Sequence, residues 1–347
     1  MMYTFLRYIT PVFFLLILAV AAWFNFKWYK DPPFEISRIE TGPINKYGGE
    51  SRIQTEPEET FTIISYNMGF AAGPMQHTLA DEHPESFFTA NLEKLAAMIK
   101  VRKADVVLLQ EIDLDSKRSW YMNQLDILMK TLGWGYAAPV VDWDMYFPLR
   151  KERKITKATV VISRFPLVSN EFCLTSAKPV FENNLLNIFY YPLLWKSCMQ
   201  RVTVKAGIRE LDIFNVHLCV WNRAARIAQA NFLADWVRRT ERNRNFIIGG
   251  DFNFQAYIRG TPVPTDDMLR EPFLNIIWDS ADGIKEILSS RTDSTDRLHE
   301  QFTFPERKHR YDFMFYSQKL KLERAGVIKD IDASDHLPVF GIFRFTP

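Results

Sequence analysis

The pattern of apolar and polar positions predicts short buried strands separated by a few amphipathic helices. Phe61–Ser65 and Val106–Leu109 are short apolar runs bounded by polar residues, which is typical of strands buried on both faces. Two other segments carry apolar residues at helical spacing, so that these residues share one face of a helix. They are Leu92, Leu95, Ala96 and Ile99 in the first segment, and Ile227, Ala230, Leu233 and Val237 in the second.

Later segments add further strands to this alternation. "KATVVIS" (157–163) is an apolar, β-branched run, and "QRVTVKA" and "LDIFNVHL" form a predicted strand pair joined by the polar turn "GIRE". "RYDFMFY" and "LPVFGIFRF" supply the last strands. Many short strands with few helices predict an α/β (α+β) four-layer sandwich, in which two packed mixed β-sheets are flanked by helices.

The amino-terminal segment follows another pattern. From Tyr8 to Phe26 there are 19 residues without a charge, and a helix of that length spans about 28 Å, close to the hydrocarbon thickness of a bilayer. We therefore predict that residues 1–30 form a single-pass transmembrane anchor. A cleaved signal peptide is the alternative, because Arg7 precedes the apolar stretch and Ala19-Val20-Ala21 is typical of a cleavage site. The charges do not fix the orientation of an anchor, because Arg7 and the amino terminus nearly balance Lys27 and Lys30. We expect the remainder of the chain outside the cytoplasm, the outcome that an exported anchor and a signal peptide share.

Composition divides the remainder into two parts. Residues 31–60 are rich in Pro, Gly, Glu and Thr without a sustained period, which predicts a linker before a globular part at 61–347. A hydrophobic content of 47% is ample for a large core, and a formal net charge of +2 gives no general signal for nucleic acid. Three cysteines are too few for a disulfide framework. They are either buried thiols or, in an exported chain, include one Cys173–Cys198 bridge.

Polar residues stand at the carboxyl ends of several predicted strands. Asn67 follows one apolar run and Glu111 ends the next. Asp251 and Asn253 end "NFIIGGDFNF", and Asp335 and His336 precede the last strand. A single strand-end aspartate is more often a turn or a helix cap than a ligand. A ring of carboxylate, amide and imidazole groups at successive strand ends instead predicts a site for a hard divalent cation and a phosphate.

These motifs resemble the endonuclease/exonuclease/phosphatase superfamily, which includes pancreatic-type DNases, apurinic-site endonucleases, neutral sphingomyelinases and inositol-polyphosphate 5-phosphatases. The resemblance covers about residues 61–347 and rests on seven motifs in the family's order. They are "SYNMG", "LLQE", "VVISRFPL", "NVHL", "GGDFN", "FTFP…RYDFMF" and "SDHLPV". It implies that residues 61–347 are a catalytic domain with the family's four-layer fold.

The resemblance also implies roles for individual residues. Glu111 matches the main metal ligand, Asn67 the amide near that metal, and Asp335 a further carboxylate on the metal side. Their cation is expected to be Mg²⁺ or Mn²⁺.

The remaining matches are catalytic. Asp251 matches the aspartate that prepares the attacking water, and Asn253 the amide that holds the phosphate. His336 matches the imidazole at the scissile phosphate, Asp312 the carboxylate that pairs with this histidine, and His217 a second histidine near the leaving group. The implied reaction is hydrolysis of a phosphodiester by a monomeric, membrane-anchored enzyme.

Two segments bear on the substrate, and each has two interpretations. The basic run Arg150, Lys151, Arg153, Lys154 and Lys157 is either a solvated face or a loop that meets a polyanion or an anionic lipid headgroup. The apolar segment Asn183–Trp195 is either a packing insert or a surface that touches lipid. A lipid headgroup and a nucleic acid are thus both allowed as substrates. The alternatives to a lipid phosphodiesterase are an extracytoplasmic nuclease and a non-catalytic module that binds phosphate or a partner.

Overall fold

The structure, a computed structural model, describes residues 34–49, 60–74, 83–146, 154–177, 196–220, 223–240, 245–254, 276–277, 280–288 and 301–346. Its helices are α1 (Glu85–Val101), α2 (Gln124–Leu132) and α3 (Arg223–Thr240). The strands in the first half are β1 (Phe34–Ile36), β2 (Glu40–Thr41), β3 (Asn45–Lys46), β4 (Phe61–Asn67), β5 (Val106–Asp113), β6 (Tyr136–Tyr146), β7 (Lys154–Ser163) and β8 (Leu167–Ala177). Those in the second half are β9 (Lys196–Ala206), β10 (Arg209–His217), β11 (Asn245–Asp251), β12 (Lys285–Glu286), β13 (Asp312–Tyr316), β14 (Leu320–Val327) and β15 (Val339–Phe345).

The strands form two mixed sheets. One sheet has the order β1-β8-β9-β10-β11-β13-β12, with β2 also paired to β8, and the other has the order β14-β15-β4-β5-β7-β6-β3. Each contains one central parallel pair, β10 with β11 and β4 with β5, while the other pairs are antiparallel. The carboxyl ends of each parallel pair therefore meet at one edge of their sheet, and this places the site.

The two sheets pack face to face around an apolar layer. Ile63, Leu108 and Val161 from one sheet lie in the same cluster as Val202 and Ile213 from the other, and all are fully buried. Burial of each such side chain contributes about 1.5–3 kcal/mol. The shared layer holds the strand ends of the two sheets against each other.

Helices cover the outer faces. Leu95 of α1 and Leu128 of α2 pack on one sheet, and Leu233 and Val237 of α3 pack on the other. The prediction of two packed mixed sheets flanked by helices is thus confirmed. The apolar residues at helical spacing in the sequence lie on the packed faces of α1 and α3.

The segment before the first long strand differs from the predicted linker. Over its described part, residues 34–49, it contributes short strands to both sheets, because β1 and β2 pair with β8 and β3 pairs with β6. The predicted anchor at residues 1–30 lies outside the described ranges. Within those ranges no helix is both long and apolar enough to cross a membrane.

The three cysteines are free and buried. Cys173 lies opposite Met199, whereas Cys198 lies opposite Leu174. Because neighbouring residues of a strand point to opposite faces, the Cys173 and Cys198 side chains leave opposite faces of the sheet. The structure therefore has buried thiols here, and the alternative of a Cys173–Cys198 bridge does not fit this register.

Candidate functional site

Three of the sequence-predicted residues lie side by side on adjacent strand ends. His217 ends β10 opposite Asp251 of β11, and Asp251 lies opposite Asp312 of β13. Residues in register on neighbouring strands point to the same face, so their side chains are neighbours. Gly250 makes this arrangement possible, because its φ is +147° and an added Cβ would lie 1.9 Å from the Val216 carbonyl oxygen.

The other sheet supplies Asn67 and Glu111. Asn67 ends β4 opposite Gln110 of β5, and Glu111 follows at an irregularity in the pairing of β5 with β7. Glu111 has a φ of +56°, an uncommon conformation for a residue other than glycine. The local bulge breaks the strand alternation, as bulges near active sites often do, and re-aims the carboxylate.

One hydrogen bond joins the two sheets at the site. The Asn67 Nδ2 atom donates to Asp251 Oδ2 over 2.9 Å, while the Gly69 backbone N–H donates to Asn67 Oδ1 over 3.1 Å. Since the Gly69 N–H requires an acceptor, the Asn67 amide is fixed with its nitrogen towards Asp251. Asn67 therefore orients Asp251, while its place beside the metal stays a prediction.

Asn253 is fixed in a similar way. Its backbone N–H donates to Asp251 Oδ1 over 2.8 Å, and its Nδ2 donates to the Leu218 carbonyl over 3.0 Å. Both oxygens of Asp251 therefore accept hydrogen bonds from residues that themselves lie at strand ends. Burial nevertheless raises the pKa of Asp251, although the nearby imidazole of His336 acts in the opposite direction.

The segment that carries Asp335 and His336 is tied to the end of β4. The Ser334 hydroxyl donates to the Asn67 carbonyl over 2.9 Å, and the His336 backbone N–H donates to that hydroxyl over 3.2 Å. Gly69 lies against this contact, because its φ is +46° and a Cβ there would lie 2.9 Å from Ser334 Oγ. Ser334 was not among the predicted site residues, although its place in "SDH" was a visible signal.

His336 and Asp312 form a close pair. The His336 Nδ1 atom lies 2.9 Å from Asp312 Oδ2, and His336 Nε2 lies 3.8 Å from Asp251 Oδ2. Burial opposes the charged form of His336, but the carboxylates of Asp312 and Asp251 outweigh it and raise the pKa to about 10. At neutral pH His336 is therefore a cation that donates through Nδ1 to Asp312.

His217 has the opposite ionisation. Its Nε2 atom lies 3.6 Å from Glu111 Oε1 and 3.9 Å from Asp251 Oδ2. Burial, with the positive charge of Lys157, lowers its pKa to about 4. Asp251 thus lies between a neutral imidazole and a protonated one, and divergent pKa values of this kind mark candidate acid–base groups.

Buried charges surround Glu111, whose side chain is 6% exposed. Burial acts to raise its pKa, but the positive charges of Lys157 and Arg118 outweigh burial and lower it. Lys157 is 0% exposed and pairs with Asp142 at 3.2 Å. The interpretation of Lys157 as part of a solvated or polyanion-binding basic run is therefore wrong.

Two further predictions on substrate contacts cannot be placed. Arg150, Lys151 and Arg153 of the basic run lie outside the described ranges, and so does the apolar segment Asn183–Trp195. Lys154, which is described, forms an ion pair with Asp115.

Asp335 is the residue whose surroundings best fit a cation. Burial raises its pKa to about 6, although the charge of His336 acts against this, and Glu111 is close enough to contribute. Its Oδ2 atom is buried and has no hydrogen-bond partner within the described part of the chain. Two neighbouring buried carboxylates, one with an unused oxygen, match the hard oxygen ligands that Mg²⁺ and Mn²⁺ prefer.

A second cluster has ligand atoms at metal-like distances but different chemistry. Asp251, Asp312 and His336 bring one ligand atom each to within 4.8 Å of one another. A protonated imidazole has no lone pair for a metal, and His336 already donates directly to Asp312. His336 and Asp312 are therefore a hydrogen-bonded pair that faces Asp251 at 3.8 Å, and Glu111 with Asp335 is the better cation site.

A cavity of about 590 Å³ adjoins the site on the Asp335 side. Ser334 and Asp335 line it together with Phe302, Leu337 and Lys308. Its size is within the range of pockets that hold small organic ligands, and its lining is largely apolar. The eight sequence-predicted residues thus lie in one connected cluster beside an open cavity, while their catalytic roles stay predictions.

Comparisons with known proteins agree with this architecture. The sequence profile of the Endonuclease/Exonuclease/phosphatase family matches residues 64–336. No curated protein gives a significant match to the sequence. One similar solved structure is an endonuclease/exonuclease/phosphatase from Beutenbergia cavernae DSM 12333, with a TM-score of 0.59 and 20% identity over 82% of this chain and 72% of that one.

Two other similar structures are of a phosphatase and of TDP2. The mannosyl-6-phosphatase Bt3783 of Bacteroides thetaiotaomicron VPI-5482 has a TM-score of 0.57 at 16% identity, covering 82% of this chain and all of its own, 100%. D. rerio TDP2, humanised by 14 mutations, has a TM-score of 0.53 at 15% identity, covering 82% of this chain and 99% of its own. At these identities the likeness concerns the fold.

Proposed function

Because the chain belongs to the Endonuclease/Exonuclease/phosphatase family, we propose that it is a divalent-metal-dependent phosphoester hydrolase. The observation that carries the proposal is the setting of Asp251, which lies 3.9 Å from neutral His217 and 3.8 Å from cationic His336. Phosphoester hydrolysis needs a base for water, a cationic donor for the phosphoryl group and a partner for the leaving group. These three groups supply that set.

Asp251 prepares the attacking water in this proposal. Asn67 Nδ2 and the Asn253 N–H hold one carboxylate oxygen each, so the orientation of Asp251 is fixed before substrate arrives. Its raised pKa makes it a stronger base than an exposed aspartate. His336 faces Asp251 through Nε2 and stays protonated, so it donates a charge-assisted hydrogen bond to a phosphoryl oxygen.

Neutral His217 serves the leaving oxygen. It is adjacent to both Glu111 and Asp251, and its neutral imidazole can donate an N–H hydrogen bond to the leaving oxygen, which takes its proton from the solvent. Glu111 and Asp335 would hold a Mg²⁺ or Mn²⁺ ion, which when bound polarises a phosphoryl oxygen and neutralises developing charge. Asp312 accepts a hydrogen bond from His336 Nδ1, which holds the ring in place and stabilises its positive charge.

The activity is tested with bis(p-nitrophenyl) phosphate. Purified protein is expected to release p-nitrophenol in the presence of Mg²⁺ at roughly 5 mM. Addition of EDTA is expected to abolish this release. Hydrolysis that persists in EDTA would refute the cation site. Absence of hydrolysis with Mg²⁺ or Mn²⁺ would favour the binding module instead.

Replacing Glu111 with glutamine should weaken metal dependence. The substitution keeps the shape of the side chain but removes the charge that the cation would meet, so the Mg²⁺ concentration for half-maximal activity should rise by about tenfold to a hundredfold. Titration of activity with Mg²⁺ measures this shift.

The control must be an exposed position. Gln110→Glu is not suitable, because Gln110 is buried between the two sheets, where it donates a hydrogen bond to Asn215. Glu93→Gln is the matched control, because Glu93 is exposed on α1. An unchanged Mg²⁺ titration in Glu111→Gln would remove Glu111 from the predicted metal ligands.

Metal affinity should also depend on pH through Asp335. Its pKa of about 6 lies above the usual 3.8, so the carboxyl group is neutral below pH 6 and charged above it. Because a cation binds the charged form, apparent Mn²⁺ affinity should fall by about tenfold per pH unit below pH 6. Calorimetric titrations between pH 5 and 7.5 measure the slope. Asp335→Asn should bind weakly at every pH in this interval, and a slope unchanged by that substitution would contradict the assignment.

We further propose that residues 1–30 anchor the enzyme in a membrane with the catalytic part outside the cytoplasm. The support is the uncharged stretch from Tyr8 to Phe26. The full-length chain is expected to stay with membranes in alkaline carbonate and to dissolve in detergent. Release of a shortened chain whose amino terminus follows Ala21 would instead identify the segment as a signal peptide.

A further inference from the structure

A rigid turn lies beside the catalytic histidine. We call residues 304–309 the Arg307 turn. The Phe304 N–H donates to the His309 carbonyl over 2.9 Å, and the His309 N–H donates back to the Phe304 carbonyl over 3.1 Å. Lys308 closes the turn with a φ of +54°. This reciprocal pairing fixes the backbone, so the exposed Arg307 side chain projects from a defined position.

The Arg307 turn packs directly on His336. The rings of Phe304 and His336 meet edge to face with centroids 5.1 Å apart, and the Arg307 Cζ atom lies 5.8 Å from the Phe304 centroid. Only one aromatic ring therefore separates the Arg307 guanidinium from the imidazole that faces Asp251. The Arg307 guanidinium also acts to lower the pKa of the Tyr311 hydroxyl, which burial raises.

A second guanidinium, that of Arg226, lies beside the residues that follow β10. Arg226 lies in the first turn of α3, and its Nη1 donates over 3.0 Å to the carbonyls of Cys219 and Val220, which follow β10. These bonds hold the half-buried side chain at the same end of the sheet as His217. Arg226 and Arg307 thus come from segments far apart in the chain.

Tyr311 brings the two arginines and the catalytic aspartate into one neighbourhood. Its hydroxyl lies 2.6 Å from His309 Nδ1, and its ring centroid lies 6.2 Å from that of His336. Burial raises the pKa of Tyr311, the Arg307 and Arg226 charges lower it, and Asp251 raises it. The backbone hydrogen bonds agree with this placement. The Leu218 N–H donates to the Asp251 carbonyl over 3.0 Å and the Phe252 N–H donates to the Tyr311 carbonyl over 2.9 Å, so Tyr311 and the residues that hold Arg226 lie at one end of the sheet.

This neighbourhood has chemistry that the hydrolytic site leaves unused. Two guanidinium groups with a phenolic hydroxyl match a tetrahedral phosphate, because guanidinium donors bind its oxygens in pairs. Exposed arginines are commonly solvated without a ligand, but Arg226 is half-buried and fixed by two carbonyls. Fixed donors lose little entropy when an anion binds.

We propose that Arg226, Arg307 and the Tyr311 hydroxyl form a subsite for a second phosphate of the substrate, next to the phosphate that is hydrolysed. This inference rests on the proposed function and narrows it. The substrate class is an ester that carries two phosphates near each other. A nucleotide with a further phosphate and a phosphorylated inositol headgroup share that chemistry.

A matched pair of chromogenic esters tests the subsite. Thymidine 5′-(p-nitrophenyl phosphate) is compared with the same ester carrying a 3′-phosphate, both with Mg²⁺. The extra phosphate is expected to lower KM by about tenfold to a hundredfold, as a charge-assisted contact would. Arg307→Gln and Arg226→Gln should each remove most of this advantage while leaving the ester without the 3′-phosphate almost unaffected.

Two further variants complete the test. Arg239→Gln is the control, because Arg239 lies in the last turn of the same helix as Arg226, about 20 Å along its axis. It should keep the full advantage. Arg307→Lys should keep part of it, because the charge is retained without the paired donors. Equal loss on both esters in Arg307→Gln would show a general effect on the site and overturn the subsite.

The outcome separates the two proposals. Equal KM values for the two esters in the unmodified enzyme would overturn the second-phosphate subsite, whereas hydrolysis of bis(p-nitrophenyl) phosphate would still support the proposed function. A third comparison uses inositol 1,4-bisphosphate and thymidine 3′,5′-bisphosphate as inhibitors. If one of these bisphosphates inhibits, and its inhibition weakens in Arg307→Gln, the result supports the subsite and shows whether a nucleotide or an inositol phosphate fits it. If neither bisphosphate inhibits, the subsite is contradicted.

Discussion

Replacement of Asp251 with asparagine is expected to lower kcat by about three orders of magnitude, the largest loss for any residue in the site. An amide cannot take a proton from water. Its single oxygen keeps one of the two hydrogen bonds that Asn67 Nδ2 and the Asn253 N–H donate to Asp251, and only the other is lost. The loss should therefore appear in kcat with little change in KM. Steady-state hydrolysis of bis(p-nitrophenyl) phosphate with saturating Mg²⁺ measures both constants.

The matched control for Asp251 is Asp235→Asn. The Asp235 side chain on α3 is 61% exposed and forms an ion pair with Arg238 on the same helix, so its replacement should leave kcat unchanged. Thermal unfolding of both variants checks that the fold is retained. A kcat for Asp251→Asn within tenfold of the unmodified enzyme would remove Asp251 from the role of base.

Replacement of His336 with alanine is expected to lower kcat by about two to three orders of magnitude. The substitution removes a cationic donor whose pKa of about 10 keeps it protonated throughout the neutral range. Because the folded-state pKa is raised above 6.5, the charged form persists up to about pH 10 and is lost above it. Activity of the unmodified enzyme should therefore show no decline from His336 between pH 7 and 9.

Asp312→Asn tests whether Asp312 raises the pKa of His336. Without the carboxylate at Nδ1, the His336 pKa should fall towards its ordinary value, and the decline in kcat/KM should move from about pH 10 towards neutrality. The pH profiles of the two enzymes decide the matter. A His336→Ala enzyme within tenfold of normal kcat, or an Asp312→Asn profile that does not move, would contradict the role of the pair.

The strands that end in site residues could be predicted from the sequence, as could β7, β9 and β15, whereas β6, β8 and β14 were missed. β4, β5, β10 and β11 are almost wholly buried, so their apolar runs are continuous. β6 was missed because Pro139 interrupts it and its second half alternates with exposed polar residues. β14 was missed because it is a largely exposed edge strand with several charges.

The helix α2 shows a signal that could have been used. The Asn123 side chain accepts a hydrogen bond from the Asp126 N–H at its start, and Gly133 ends it with a left-handed conformation. Both are standard boundary residues for a helix. The periodic apolar stretch between them is short, which is why the pattern alone passed over it.

The site was predictable in its members but not in its electrostatics. The site residues could be identified from the order of the sequence motifs, because each of them lies next to a recognisable apolar run. The burial of Lys157 was not predictable, since its partner Asp142 lies in the missed strand β6. The different ionisation of His217 and His336 depends on that same Lys157 and on Asp312, which only the packed sheets bring into range.

The short strands β1, β2 and β3 have a practical consequence for how this enzyme is produced. They occupy hydrogen-bonding sites on β8 and β6, which would otherwise present open backbone donors and acceptors at the margins of the two sheets. Bare margins of this type recruit strands from other molecules. A recombinant version should therefore begin before Phe34 rather than at the first catalytic motif, so that soluble material keeps its protective border.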